Sequence, residues 1–575
     1  MTQALTTRPK ASSAVVADRR FILQLILIGL ISQVIYMAYV LAFPLISNTR
    51  LGGPAADLEI LMRDFRWFAP IYTAGILVLY IVFYQAVQLV LGLGSRGAPA
   101  ARIGFGEPAS PLPPSSISPD SEQRLKLLIL SFGAIFGLTL IWLYPITAND
   151  LFRYVLRGRI WTVYGESPML TPPDAFPNDP YAAFAGEFGD WVSGYGPLWE
   201  ILVQGPLRLG AVDMVPGSVG LKLVVFLFYM LCAWLLGWVV QPESGSRLAA
   251  LTFFAWNPLI LMQVPGNGHN DMVFMALMVL GLILWQRKLW WAAVFVLTLS
   301  ALAKATALLV IPLFGVVLLR REPNWSQRIL KVMGSVVIGL TTAYLVYSVL
   351  GPVGETLRGV TDMLTTRRGF AIASGVRMAM RETLPRGGET TIAPEIVPGG
   401  AALRAVPCNP AESSSLWARL VNNVLPCNLG EAFPRTYARN LFLLFYLWLL
   451  FQLWRGRQSL ITAAFLAYFA QLMLGRTFRI WYPMWLIPLA AIQLTPATFW
   501  RTFLFGLTAE LSIINYFVVW RWYLRDWNWD WLGLLSGSGP YWPVMHGLTV
   551  PWLFGIPLFG PILLRWAQRL KKPQT

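Results

Sequence analysis

Asp150, Arg153, Tyr154 and Arg157 recur at i, i+3, i+4 and i+7 in the run Thr147-Ala148-Asn149-Asp150-Leu151-Phe152-Arg153-Tyr154-Val155-Leu156-Arg157. On a helix this spacing puts an acid, two guanidiniums and a phenol on one face. The run follows directly on the apolar stretch Leu127 to Tyr144, so such a helix would lie along a membrane interface with a carboxylate at the surface. That position suits a general base, and the face as a whole suits a sugar beside a phosphate. A plainer use of the same residues stays open. Asn149 or Asp150 could cap the helix while the arginines extend to lipid headgroups.

Further polar stations interrupt the apolar sequence. Pro265-Gly266-Asn267-Gly268-His269-Asn270-Asp271 separates two apolar runs. It offers His269, Asn270 and Asp271 to a ligand, although an Asn or Asp before a helix is also an ordinary cap. Lys304 occupies the turn of a short apolar hairpin between Leu289 and Leu319, where an ammonium is costly unless it meets an anion or reaches the interface. The turn Gly475 to Trp485 carries Arg476 and Arg479 beside Trp481 and Tyr482. Two arginines at that spacing suit phosphate oxygens, while aromatic belts explain the rings as well. Tyr195 stands in Ser193-Gly194-Tyr195-Gly196-Pro197. Arg358, Arg367, Arg368, Arg377, Arg381 and Arg386 crowd one long loop, which makes Arg367 and Arg368 candidate anion ligands, although solvated charge is the commoner use of such residues.

The elements that must position these residues are membrane helices. The 575 residues are 56% hydrophobic and 13% charged, with 26 Trp and a mean hydropathy of +0.56, a composition that excludes a water-soluble domain of this size. Apolar runs are read at 21–47, 67–93, 127–146, 218–240, 249–265, 271–286, 289–303, 305–320, 329–350, 437–454, 458–475, 482–494, 498–521 and 548–564. They predict an all-α polytopic bundle of about fourteen transmembrane helices, with interfacial helices in the outer loops. The first run, about 27 residues, exceeds the roughly 7–15 of a signal-peptide core, so it is expected to remain in the membrane.

Basic residues set the expected orientation. Arg8, Lys10, Arg19 and Arg20 precede the first helix, Arg287 and Lys288 share a tight turn, as do Arg455 and Arg457, and Arg565, Arg569, Lys571 and Lys572 close the chain. Both termini are therefore expected in the cytoplasm of a multi-pass cell-membrane protein, with Asp150, Asp271, Lys304 and Arg479 on the extracytoplasmic side. The same bias accounts for much of the net charge of +17 without a nucleic-acid partner. Three units result. Residues 1–124 hold a tail, two helices and a Pro-rich cytoplasmic linker; 125–495 hold the chemistry, with outer loops 147–217 and 351–436; 496–575 hold C-terminal helices and a basic tail. Cys408 and Cys427 share the second outer loop and could form a disulfide, whereas Cys232 lies mid-helix. With His269 and His546 the only histidines, no metal-ligand cluster is evident.

The order of these motifs resembles the polyprenyl-phosphomannose-dependent mannosyltransferases of the GT-C class: an interfacial Asp followed by aromatic and Arg, Tyr195-Gly196-Pro197, Gly268-His269-Asn270-Asp271, Lys304 in a short hairpin, and Trp481-Tyr482-Pro483-Met484-Trp485. The resemblance covers about residues 125–495. It departs from that class in having two extra helices in front and no Asp-x-Asp or His-Glu-Asp triplet in the first loop, and the large soluble C-terminal domain of some members is not expected here. It implies a GT-C-like fold and an inverting transfer of a hexose, mannose by analogy, from a polyprenyl-phosphate donor to a glycan, lipid or other hydroxyl acceptor, with Asp150 as the base.

Sidedness supports a lipid-borne donor independently. Groups on the outer face cannot reach nucleotide sugars, so an activated sugar must arrive on a lipid, and a phosphate monoester leaving group needs guanidinium and ammonium rather than a divalent ion. No cofactor and no obligatory metal are therefore expected. Lys304, Arg367, Arg368, Arg476 and Arg479 are the candidate phosphate ligands. Arg153, Tyr154, Arg157, Tyr195, His269, Asn270, Asp271, Trp481 and Tyr482 are the candidate substrate contacts. The rival reading is a transporter or lipid flippase, which would be expected to show internal repeats and midplane charges.

Overall fold

The computed structural model describes residues 19–50, 53–63, 66–93, 118–240, 246–358, 371–372, 375–376, 437–475, 477–527 and 541–571. Arg367, Arg368, Arg377, Arg381, Arg386, Cys408, Cys427, Arg476 and residues 94–117 of the linker lie outside the described residues. Among the described residues the architecture is all-α, and the only bridge is an isolated antiparallel pair, Pro44 with Leu143. Among the described residues, seven helices are long and apolar enough to cross a membrane: Arg19–Ala42, Phe68–Gly92, Pro119–Leu140, Met214–Val239, Trp325–Ser348, Pro496–Leu524 and Val544–Leu563. Shorter apolar helices fill the bundle between them, including Asp271–Gln286, Trp290–Ala303, Ala438–Trp454 and Leu460–Leu474. The protein is a multi-pass membrane bundle.

Caps and prolines decide where these helices start and break. Ser118 accepts from the Ser121 amide with Pro119 at the first helical position and Asp120 and Glu122 in the first turn, so the side chain, the fixed φ and the helix dipole all favour a start there. Thr495 and Thr498 cap each other ahead of Pro496. The run read as one span at 249–265 is instead two helices, Arg247–Ala255 and Pro258–Gly266, bent by 47°. The cause is local: Asn257 accepts from the Leu259 and Ile260 amides and Pro258 cannot continue the preceding ladder. The second piece relaxes into a π-helical turn over Met262–Gly266.

Helix length then creates a recess. Asp271–Gln286 has 16 residues and Trp290–Ala303 has 14, or about 24 and 21 Å at 1.5 Å per residue, against a hydrocarbon core of ~30 Å. If the Arg287-Lys288 turn marks one interface, the ends carrying Asp271 and Lys304 stop short of the other. The loop 147–217 covers that hollow with helix Asp150–Thr162, a 3-10 turn at Ala182–Phe188 and helix Pro197–Arg208. Its inner fastening is Asp179, which accepts from the Arg159 guanidinium at 2.9 Å and from the Tyr164 hydroxyl at 2.8 Å.

Candidate active site

Two glycines bring separate motifs together. Gly268 has φ +78°, and a Cβ there would lie 2.7 Å from Leu151 Cδ1, so the His269–Asp271 turn packs against the start of helix Asp150–Thr162 only because that position lacks a side chain. At Gly196 a Cβ would lie 2.0 Å from the Leu302 carbonyl oxygen, so the Tyr195-Gly196-Pro197 segment rests directly on the hairpin tip that carries Lys304. The Thr147 amide donates to Asn267 Oδ1 at 3.1 Å, joining the segment before Asp150 to the same turn.

The hollow is a cavity of about 990 Å³. Its wall includes Thr147, Asp150, Arg153, Tyr154, Tyr195, Asp271, Lys304, Arg479, Trp481 and Tyr482. Of the sequence-predicted residues, Arg157, His269 and Asn270 stand behind the wall rather than on it. Arg157 is the clearest departure from the expected helical face. Position i+7 places it about 10 Å along the axis from Asp150, where it is 2% exposed and its guanidinium lies 5.6 Å from the Tyr195 ring. Below it the Ser193 hydroxyl donates to Glu200. Burial pushes the Glu200 carboxyl above its ordinary value, and the Ser193 hydrogen bond and the Arg157 charge oppose the shift. Arg157 therefore supports Tyr195 from behind.

Asp150 is the first helical residue, and the Asn149 cap position makes no side-chain hydrogen bond. Asp150 Oδ1 accepts from Arg153 Nη1 at 2.8 Å, and Oδ2 lies 4.0 Å from His269 Nδ1. Arg153 is in turn held over the Phe188 ring at 4.1 Å. His269 is stacked on Trp481 with centroids 3.9 Å apart. Burial drives its basicity down to about 4, against the nearby charges of Asp150 and Asp271, so the ring is neutral at neutral pH.

Asp271 is more deeply set. It is 1% exposed, and its Oδ1 accepts from Lys304 Nζ and from Trp485 Nε1, each at 2.5 Å. Lys304 also sits 5.2 Å from the Tyr482 ring and 5.3 Å from the Trp485 ring. An anion, as expected for a lysine at that depth, does meet Lys304; it is a carboxylate of the protein. Asn270 makes no side-chain cap bond, and its amide oxygen and nitrogen are buried without a hydrogen-bond partner.

Sequence reasoning passed over several wall residues. Asp57 and Arg521 pair at 2.8 Å although they lie on segments far apart in the chain, and both line the cavity, as do Arg439, Gln471 and Trp485. Arg439 and Arg479 make no ion pair with a carboxylate among the described residues. The wall thus offers three paired carboxylates, Asp150, Asp271 and Asp57, and two cations, Arg439 and Arg479, without a carboxylate counter-charge among the described residues. Among the described residues no group of three or more His, Cys, Asp or Glu could hold a metal ion.

Comparison with known proteins finds a partial match to one family. Residues 119–320 match the model of a family described as Alpha-(1->6)-mannopyranosyltransferase, N-terminal domain. The chain resembles that family. Alpha-(1->6)-mannopyranosyltransferase A of Mycobacterium tuberculosis is 25% identical over 267 residues, which is 44% of this chain and 49% of that one. The protein of the same name from Corynebacterium glutamicum is 21% identical over 173 residues, 30% of this chain and 35% of its own. The aligned part thus spans about half of the first relative and about a third of the second. The family match includes Asp150, Arg153, Tyr154, Arg157, Tyr195, His269, Asn270, Asp271 and Lys304, and ends before Arg479, Trp481 and Tyr482.

Proposed function

We propose that this protein is a mannosyltransferase that takes its sugar from a polyprenyl-phosphate donor and attaches it to a hydroxyl of a glycan or lipid acceptor on the extracytoplasmic face. The observation that carries the reading is one wall bearing a partly accessible carboxylate, Asp150, together with the guanidiniums of Arg439 and Arg479, which have no carboxylate partner among the described residues. The resemblance to mannopyranosyltransferases supports the choice of sugar.

In this mechanism the acceptor hydroxyl attacks the anomeric carbon as Asp150 takes its proton. The bond from that carbon to the phosphate oxygen breaks, and the electron pair leaves on the lipid phosphate. Arg479, with Lys304 and Arg439 nearby, stabilises the charge that grows on the phosphate. Asp150 suits the base better than Asp271 because Oδ1 of Asp271 is already engaged by two donors in a buried site. Displacement in one step inverts the centre, so an α-linked product requires a β-linked donor. The relatives' name would make the acceptor group a primary 6-hydroxyl. A neutral His269 stacked on Trp481 adds no second positive charge beside Asp150.

The test is transfer by purified protein in lipid nanodiscs from polyprenyl-phosphate [¹⁴C]mannose to membrane mannan acceptors. Label in an α(1→6) linkage is the expected product, and absence of transfer with every polyprenyl-phosphate sugar would refute the proposal. Sidedness is tested separately by cysteine labelling of intact cells at Ala148 and Thr477. Modification by a membrane-impermeant reagent is expected, and protection until the cells are broken would move the site to the cytoplasm.

A further inference from the structure

A glutamate lies inside the membrane with no part in that reaction. Glu510 is near the middle of the span Pro496–Leu524 and is fully buried. An ionisable side chain at such a depth is retained against its solvation cost only where it does something. Its Oε1 accepts from Gln263 Nε2 at 2.7 Å. The other end of that amide, Gln263 Oε1, accepts from Thr147 Oγ1 at 2.9 Å and lies 3.4 Å from Asn267 Nδ2. Asn267 then closes the circuit by accepting from the Thr147 amide at 3.1 Å.

The direction of this chain is set at its buried end. An amide can present either its oxygen or its NH₂ to Thr147 and Asn267. The Glu510 oxygen calls for a donor, so the NH₂ of Gln263 turns inward and its oxygen turns toward the two groups that donate. Gln263 is free to reach both because it lies in the π-helical turn Met262–Gly266, beyond the 47° break, and such turns are frequent at functional sites. Thr147 lines the cavity three residues before Asp150. Alone, Thr147 is a small side chain on a loop; tied to Gln263 it fixes the chain entering helix Asp150–Thr162.

We infer that Glu510 is a positioning residue: through Gln263 it sets the hydrogen bonds of Thr147 and Asn267, and so holds the loop that aims Asp150 into the cavity. The inference rests on the proposed role of Asp150. It requires an acceptor at position 510 and no charge. Glu510→Gln keeps an acceptor oxygen for Gln263, whereas Glu510→Met keeps the volume and removes it.

Two measurements test this. In the transfer assay Glu510→Met is expected to lower kcat about tenfold or more with the donor KM within about twofold of wild type, and Glu510→Gln to restore most of the kcat. A merely structural loss would lower active protein without that split or rescue. The second measurement needs no activity. With Cys408 and Cys427 replaced by Ser, the alkylation rate of Ala148→Cys is expected to rise about fivefold or more in Glu510→Met and to return in Glu510→Gln, because the loop opens locally when its tether is cut. Unchanged alkylation in folded Glu510→Met overturns the inference even if no transfer is ever seen. Equal damage from Gln and Met overturns it in favour of a role for the ionisable proton. A wild type that transfers no sugar, with alkylation as expected, retires the transferase reading and leaves the tether standing.

Discussion

Two of the paired carboxylate stations of the cavity, Asp150 and Asp271, are the same residue type and differ in what surrounds it. Asp150 is 8% exposed at the start of helix Asp150–Thr162 and is paired with Arg153, which also lies over the Phe188 ring. Asp271 is 1% exposed, clamped by Lys304 and an indole, and roofed by the Trp481–Trp485 turn. A carboxylate in the first setting can exchange a partner for a substrate proton at small cost. In the second, losing a partner strands a buried charge. The contrast favours Asp150 as the proposed base and Asp271 as a structural residue, and each prediction below strains it at a different point.

The largest effect is expected at Asp150. Asp150→Asn preserves size and removes basicity, so kcat should fall by about 10²–10⁴-fold with donor affinity and thermal stability near wild type. If Asp271→Asn produced that pattern and Asp150→Asn did not, the two stations would have to be exchanged.

Breaking the second station should register as lost fold. Lys304→Ala leaves the Asp271 carboxylate buried beside Trp485 alone, which is expected to destabilise the protein by about 3–5 kcal/mol, seen as a lower Tm in detergent. Lys304→Ala combined with Asp271→Asn should recover much of that loss, because no stranded charge remains. A single variant as stable as wild type would mean that Lys304 serves substrate alone.

His269 links the stations and makes stability depend on pH. Its folded value of about 4 lies below the ordinary 6.5, so between the two the unfolded chain binds the proton and the folded chain does not. The contribution is complete above about pH 6.5 and is lost as pH falls toward 4, to a limit of about 3 kcal/mol. Asp150 and Asp271 face the ring and soften the loss, while Lys304 and Arg479 sharpen it. Thermal melts at pH 7 and pH 5 should show a larger drop for wild type than for His269→Phe, which keeps the stack on Trp481. Equal drops would place the acid sensitivity elsewhere.

Much of this was legible from the chain because membrane topology is a parity rule. Once the apolar runs are counted, Asp150, Asp271, Lys304 and Arg479 fall at the same end of their helices, and short helices with polar turns point to a recess. The pairings were not legible. Asp271 with Lys304, Asp57 with Arg521 and Glu510 with Gln263 join residues 33, 464 and 247 positions apart, and what brings them into contact is helix packing. Periodicity also misdirected one residue: Arg157 shares the face of Asp150 but lies about 10 Å further along the axis, where it packs near Tyr195 and Glu200 behind the wall. The break at Asn257-Pro258 was visible as sequence but not as a 47° bend, because a cap inside an apolar run looks like part of the span.

The smallest of these effects sharpens the comparison from outside both stations. Arg479 lines the cavity on the turn after helix Leu460–Leu474, is partly exposed, and has no carboxylate partner among the described residues. Removing it strands no protein charge, so Arg479→Ala should leave Tm close to wild type, unlike Lys304→Ala. If it holds the donor phosphate, the loss is a charge-assisted hydrogen bond of about 1–3 kcal/mol, or roughly a 5- to 150-fold rise in donor KM. Arg479→Lys keeps the charge but not the planar fork, so it should fall between wild type and Ala. A guanidinium that only met lipid headgroups would show neither the rise nor the ordering. Donor KM for the three proteins, set beside the Tm of Lys304→Ala, therefore separates the cation that binds substrate from the cation that holds the fold.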